Sequence, residues 1–98
     1  MGRLFIVSTS PFKRTESRTH IYLARKDDGV IFIQNGVYVS LRIPDDIAEK
    51  IEEKKKEGVK FYALKEDLEA RGIKGFFGEI VDYDGFLELI EKHDKVIH

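Results

Sequence analysis

Cysteine and tryptophan are absent from the 98 residues, and methionine occurs once. Without a thiol the chain cannot form disulfides, supply thiolate metal ligands or perform thiol catalysis. Long hydrophobic runs are also missing. The run Leu4 to Val7 is too short for the apolar core of a signal peptide, and no later run has the length needed to span a membrane. We therefore expect a cytoplasmic protein with no membrane partner.

Charge is abundant but balanced. Charged residues make up 36% of the chain, yet the formal net charge is -1. Such a balance gives no basic patch, so direct nucleic-acid binding is not expected, although high charge with few thermolabile residues is typical of heat-adapted proteins. No phosphate-binding glycine pattern fits, and His20, His93 and His98 lack the spacing of metal ligands. The sequence thus predicts neither a cofactor nor a metal.

Short apolar runs alternate with helix signals along the chain. Strands are predicted at 4–7, 30–33, 59–64, 80–81 and 96–97, and helices at 17–26, 44–58, 66–71 and from Asp82 or Asp84 to His93. The first two runs are nearly continuous, as in strands that are covered on both faces. Residues 49–57 are predicted to form a solvated helix face. The alternation predicts one three-layer α/β domain over residues 1–98, with a mostly parallel sheet of about five strands.

Polar residues follow the first two predicted strands. Ser8 and Ser10 follow the first strand, and Gln34, Asn35 and Gly36 follow the second. In open α/β sheets ligands gather beyond the carboxyl ends of the strands, so these residues form a candidate crevice, to which residues 65–67 could add. We favour a simpler interpretation, in which they end strands and begin helices.

Two apolar segments are candidates for a partner interface. Phe76 and Phe77 are adjacent and framed by glycines, so both rings cannot easily enter one core. The second segment supplies Val37, Tyr38 and Leu41 and is apolar on more than one side. Contact with a partner and burial in the protomer are equally good interpretations of both segments.

Acid/base catalysis is a weaker possibility. Asp82 and Asp84 could form a carboxylate pair, with His93 nearby in sequence. Each has a simpler structural role, because the two aspartates precede a predicted helix, where N-cap residues belong, and His93 ends its apolar stripe. No catalytic residue is therefore assigned.

Four segments resemble the DsrH/TusB family of DsrE/DsrF/DsrH-like sulfur-relay subunits. They are STSPF at 8–12, QNGV at 34–37, YALKEDLEARG at 62–72 and VDYDGFLELIEKHDKVI at 81–97. The resemblance covers nearly the whole chain. It implies a flavodoxin-like, DsrE/F/H-like fold and a hetero-oligomer with DsrE/TusD-like and DsrF/TusC-like subunits. It also implies a relay of cysteine persulfide sulfur, toward 2-thiolation of the wobble uridine in tRNA or in sulfur oxidation.

His20 stands at or near the position where some DsrH-like members carry a cysteine. Because a persulfide carrier needs a thiolate, the resemblance implies a non-catalytic subunit that assists a cysteine-bearing partner. The alternative is a free-standing, self-associating binding module that kept the fold without the relay. Identification of the chains that copurify would separate the two.

Overall fold

A computed structural model describes residues 2–10 and 16–98. The strands are β1 (Arg3–Val7), β2 (Gly29–Phe32), β3 (Lys60–Leu64), β4 (Glu79–Val81) and β5 (Lys95–Ile97). The helices are α1 (Glu16–Leu23), α2 (Asp45–Glu57), α3 (Lys65–Ala70) and α4 (Tyr83–Lys92), and a 3-10 helix, η1 (Gln34–Ser40), follows β2. All the predicted strands and helices are thereby confirmed, with shifted ends.

The five strands form one parallel sheet in the order β4-β3-β2-β1-β5. Within it Phe5 pairs with Val30 of β2 on one side and with Ile97 of β5 on the other. The predicted parallel sheet of five strands is confirmed. The sheet lies between helices on both faces, as in flavodoxin-like domains, but its strand order differs from theirs.

The path of the chain explains why the sheet is covered on both faces. From β1 to β4 each strand is added on the same side of the one before, so right-handed crossovers put the intervening helices on one face. The connection from β4 to β5 runs back across three strands in the opposite direction. The same handedness therefore places α4 alone on the other face.

Two apolar clusters fill the interfaces between these layers. On the first face Phe5, Phe32 and Phe61 pack against side chains from four helices, among them Ile21, Ile47, Val37 and Leu68. On the second face a smaller cluster joins the strands to α4 through Leu4, Ile6, Ile31, Tyr62 and Leu89. One cluster is large and the other small because four helices cover the first face and only α4 the second.

Helix boundaries follow local chemistry. Pro44 precedes α2, and Gly58 ends it with φ 100°, the left-handed conformation that glycine adopts without strain. Asp82 caps α4 by accepting a hydrogen bond from the backbone N–H of Gly85 at 2.8 Å. The predictions that Gly58 ends a helix and that Asp82 begins one are thus confirmed.

Two sequence predictions need correction. The first helix ends at Leu23 rather than at residue 26, and Leu23 is exposed while Ile21 and Ala24 are buried. The predicted solvated face of residues 49–57 contains Lys54, which is buried. Lys54 lies three and seven residues after Ile51 and Ile47, on the same stripe of α2, so its aliphatic stem continues the apolar face.

None of the helices in the described residues is long and apolar enough to cross a membrane.

Candidate functional site

The candidate crevice is built around the carbonyl oxygen of Val7, at the end of β1. This oxygen accepts a hydrogen bond from the backbone N–H of Ile33 at 2.9 Å. It also touches η1 so closely that a Cβ on Gly36 would lie 2.2 Å from it. Only glycine fits such an approach. The end of β1 is therefore in contact with the segment that follows β2.

The start of α3 adds a third segment. The Asp67 carboxylate accepts a hydrogen bond from the backbone N–H of Gln34 at 2.6 Å, and Gln34 has φ 49°. A positive φ is uncommon outside glycine and asparagine. Asp67 thus holds the chain at the point where it leaves β2 and enters η1.

Arg71, just past α3, completes what we call the carboxyl-edge cluster: Gln34, Asn35, Tyr38, Asp67 and Arg71. Its guanidinium donates to the side-chain oxygen of Asn35 at 3.1 Å and lies 3.4 Å from an Asp67 oxygen. Its Cζ is 5.7 Å from the ring centroid of Tyr38, within the range of cation-π contacts. Sequence reasoning missed Arg71, although its spacing of four residues from Asp67 was a usable signal.

Ser8 and Ser10 follow the end of β1. The Ser8 hydroxyl is 2.9 Å from Nε2 of His98, which follows β5, the other neighbour of β1 in the sheet. Ser10 is half-buried at the edge of the described residues. Pro11 and Phe12 of the predicted motif lie outside the described residues.

The predicted partner interface is only partly at the surface. Leu41 is 64% exposed and Tyr38 is half-buried. For Val37 the interpretation as a partner contact is wrong, because Val37 is fully buried in the core and presents no surface to a partner. Its side chain packs in the first apolar cluster, between η1 and the first face of the sheet.

Phe76 and Phe77 both reach the core while staying half-buried. Their ring centroids are 4.2 Å apart. The Phe32 ring lies 5.8 Å from Phe76 and 6.0 Å from Phe77, with edge contacts that favour aromatic packing. Glycine framing did not prevent both rings from entering one core, and the remaining exposed surface of each is what a partner could contact.

His20 faces the core, with 7% of its surface exposed and its ring centroid 5.3 Å from that of Phe5. Asp82 is the cap of α4, and His93 bonds to the carbonyl of Leu89 from the end of the same helix. Neither aspartate forms a cluster with His93 in the described part of the chain that could hold a metal ion. The carboxyl-edge cluster offers hydrogen-bond donors and a cation, but no sulfur nucleophile.

Comparisons with known proteins find relatives over nearly the whole chain. A family model described as DsrH like protein matches residues 9–96. The chain is 34% identical to Protein TusB of Photorhabdus laumondii over 95 residues, covering 94% of this chain and 95% of that relative. It is 36% identical to Protein TusB of Erwinia tasmaniensis, with the same coverage. For Protein TusB of Serratia proteamaculans, identity is 31% and coverage 92% and 93%.

Among solved structures, the chain resembles a Thermotoga maritima protein determined by NMR in solution. The TM-score is 0.65 with 25% sequence identity, and the alignment covers 91% of both chains. The described fold is thus shared over nearly the whole length of a solved protein.

Proposed function

This chain belongs to the DsrH-like family, and we propose that it is a non-catalytic subunit of a sulfur-relay complex that supports 2-thiolation of the wobble uridine in tRNA. The observation that carries the proposal is the match of nearly the whole chain to that family, and to relatives named TusB, in a sequence without cysteine. Family likeness supports the relay. The missing thiol supports the non-catalytic role.

A sulfur carrier must attack a persulfide donor with a thiolate and then hold the sulfane sulfur. The described side chains at the carboxyl edge are hydroxyl, amide, carboxylate, guanidinium and phenol groups, and none of these can do so. His20 is buried against Phe5, and an imidazole is no substitute for the carrier. The cysteine must therefore belong to a DsrE/TusD-like or DsrF/TusC-like partner.

The docking surface that supports this role lies around η1. Leu41 is the most exposed of the large apolar side chains in the described residues, at 64%. Next to it Tyr38 is half-buried under the Arg71 guanidinium. A half-buried tyrosine and arginine beside an exposed apolar side chain is a composition found at interface centres. The same two helices, η1 and α3, carry the carboxyl-edge cluster, so docking there would place this cluster beside the partner's cysteine.

Reconstitution tests the relay. The purified chain is exposed to a persulfide donor alone and together with the two cysteine-bearing sister subunits, and labelled sulfur is followed by mass spectrometry. We expect no adduct on this chain in either mixture, and faster labelling of a partner cysteine when the chain is present. The proposal is contradicted if sulfur binds to the isolated chain, or if the partner cysteine is labelled at the same rate with and without the chain.

Variants test the docking surface. Leu41→Ser is expected to weaken association with the sister subunits about tenfold, because burying an exposed leucine side chain contributes about 1.5 kcal/mol or more. The matched control is Leu87→Ser on α4, which is 41% exposed on the opposite face. If only the control weakens association, the surface is misplaced. If the chain copurifies only with itself, the free-standing, self-associating module replaces the relay subunit.

A further inference from the structure

The second face of the sheet carries only α4 among the described helices, and one helix is too narrow to cover it. Five strands at a spacing of about 4.8 Å span about 19 Å, whereas a helix with its side chains is about 10 Å wide. The second apolar cluster joins α4 to β1, β2 and β3, and Val81 of β4 also packs against it. The uncovered part of this face is therefore on the side of β5.

Val96 shows that this part of the face is apolar and exposed. It pairs in register with Leu4, which is fully buried in the second apolar cluster. Register partners in a parallel sheet share a face, so the side chain of Val96 lies on the second face as well. Although it is one strand away from a fully buried leucine, Val96 is 43% exposed.

The flank of α4 next to β5 is apolar too. Leu89 and Lys92 line a cavity with two residues of β3, so one flank of the helix faces β3. At about 100° per residue, Leu87 lies on the opposite flank, toward β1 and β5. Leu87 is 41% exposed, and Tyr83, one turn earlier, is 57% exposed. We call Tyr83, Leu87 and Val96 the α4–β5 shelf.

Negative charge is concentrated beside the shelf. Residues 82–94 contain five carboxylates and one lysine, a net of -4 in a chain whose total is -1. Asp84, Glu88 and Glu91 are exposed and form the outermost ridge of α4, at spacings of four and three residues. None of the three is in an ion pair with any residue of 2–10 and 16–98. The one lysine, Lys92, is on the flank that faces β3.

This arrangement of charge is unfavourable for α4 by itself. Like charges repel each other at spacings of three and four residues in a helix. The carboxylate of Glu91 also lies in the last turn, where the helix dipole disfavours an anion. A cation brought by a partner would relieve both effects.

Charge also selects the occupant of the shelf. Two copies of the chain that met through α4 would bring their acidic ridges together, and nucleic acids and anionic membranes would be repelled in the same way. A cationic partner is complementary. The room beside α4 suits a helix, because packed helices lie about 8–10 Å apart, which is close to two strand spacings.

We infer that the α4–β5 shelf is the docking site for a basic amphipathic helix of a partner protein. The apolar stripe of that helix covers Leu87 and Val96, and its lysines or arginines lie along the acidic ridge of α4. The inference goes beyond the relay role, because the sister subunits are assigned to η1 on the first face. The partner on the shelf is thus a different protein.

The test uses a synthetic helical peptide that carries a stripe of leucines flanked by lysines. It is titrated into the isotope-labelled full chain and followed by two-dimensional NMR. Saturable shifts are expected at the amides of Leu87, Glu91 and Val96, with binding that weakens as salt is added. A peptide with glutamates for the lysines, and one with serines for the leucines, should each bind about tenfold more weakly. Shifts centred on η1 or α2, or equal affinity for the three peptides, overturn the inference.

Charge reversal on α4 tests the recognition of the lysines. Glu91→Lys should weaken binding of the lysine peptide about tenfold. Glu49→Lys, the same change at an exposed position of α2 on the first face, should leave the Kd unchanged. The triple variant Asp84→Lys, Glu88→Lys, Glu91→Lys should prefer the glutamate peptide, and this reversal would also show that the variant is folded. A triple variant that still prefers the lysine peptide overturns the inference.

Exposed leucines test the apolar contact. Leu87→Ser should weaken binding of the lysine peptide about tenfold, and Leu23→Ser, at an exposed leucine of α1, is the matched control. Leu41→Ser should leave peptide binding unchanged. Because the peptide assays contain no sister subunit, this inference and the relay proposal fail independently.

Two further results would assign the shelf to another occupant. Lost association of the triple variant with the sister subunits would place α4 in the relay complex. A dimer of the chain alone, seen by light scattering and dissociated by Leu87→Ser, would place a second copy on the shelf. Either result overturns the inference.

Discussion

Arg71 and Asn35 are joined by a hydrogen bond of 3.1 Å between a guanidinium at the end of α3 and a side-chain amide at the start of η1. The two residues lie 36 positions apart in the chain, so the bond is a tertiary tie between the two helices that follow β2 and β3. Arg71 also contacts Asp67 and Tyr38. This one side chain therefore orders the surface to which we assign partner binding.

Arg71→Ala should weaken association with the sister subunits more than it weakens the fold. The side chain is 22% exposed, so its ion pair is partly screened and its loss should lower the free energy of unfolding by only about 1 kcal/mol. We expect about tenfold weaker association, because η1 and Tyr38 lose their orientation. Calorimetric titration with the sister subunits, and urea denaturation of the chain alone, give the two numbers. Lys92→Ala, at an exposed lysine at the end of α4 on the opposite face, is the control, and an equal loss in that variant would show a general charge effect.

Gly36→Ala should be strongly destabilising. An added Cβ would lie 2.2 Å from the carbonyl oxygen of Val7, and η1 would have to leave the end of β1 to make room. Overpacking of this kind costs about 3 kcal/mol. Thermal unfolding measures the loss, and Gly75→Ala is the matched control, since nothing lies within 4 Å of its added Cβ. Equal midpoints for the two variants would contradict the close approach.

Lys54 should contribute to stability although it is a lysine in a charged helix. Its ammonium donates to the carbonyl of Ala24 at 2.9 Å and lies 3.7 Å from a carboxylate oxygen of Glu57. Lys54→Ala removes the buried stem and the bond, and should lower the free energy of unfolding by about 2–3 kcal/mol. Lys54→Met keeps the stem and should lose about 1 kcal/mol.

Urea denaturation of these variants is compared with that of Lys56→Ala on the same helix. Lys56 is exposed, so its variant should stay within about 0.5 kcal/mol of the unmodified chain. A Lys56→Ala loss as large as that of Lys54→Ala would mean that positive charge in the last turn of α2, and not the tie to Ala24, sets the stability here.

Asp28 should make stability depend on pH in the acidic range. Burial alone would raise its pKa, but hydrogen bonds from the Arg3 side chain and from the backbone N–H groups of Arg3 and Arg25 lower the pKa of Asp28 below 3.8. The folded state therefore holds the charged form more tightly than the unfolded state does. The resulting stabilisation is complete above about pH 4 and is lost as the pH falls through the folded pKa.

Asp28→Asn tests this linkage. At neutral pH we expect the free energy of unfolding to fall by about 2 kcal/mol, since charge-assisted hydrogen bonds to Arg3 are replaced by neutral ones. Below about pH 4 the difference from the unmodified chain should shrink. Urea denaturation across this range measures both, with Asp84→Asn, exposed in the first turn of α4, as control. A constant difference at every pH would refute the role of ionisation.

Local signals in the sequence account for most of the elements. Pro44, Gly58 and Asp82 mark helix ends through backbone and capping preferences that need no tertiary partner, and all three act as predicted. Strand positions were predictable for a similar reason, since the apolar runs are short and bounded. The whole-chain resemblance to the DsrH/TusB family was predictable from motifs in the loops and in α4.

Features that depend on tertiary neighbours were not predictable. The burial of Val37 depends on how η1 lies against the sheet, and the role of Arg71 depends on Asn35, which is far away in sequence. Lys54 was predicted to be solvated because it is charged, whereas its burial depends on Ala24, which is 30 residues away in sequence and whose carbonyl accepts a hydrogen bond from the lysine ammonium. A cavity at the amino ends of the strands is lined by residues from near both ends of the chain, such as Gly2 and His93, so no local pattern signals it.

The backward step from β4 to β5 also has a bearing on how the chain folds. Leu4 pairs with Val96, so the first strand acquires its second neighbour from the far end of the sequence. Until β5 pairs with β1, one edge of β1 and the second face of the sheet, which α4 covers in the folded chain, remain open to water or to another chain. Contacts of such long range form slowly, and early species with four strands would be the form most prone to aggregate during synthesis.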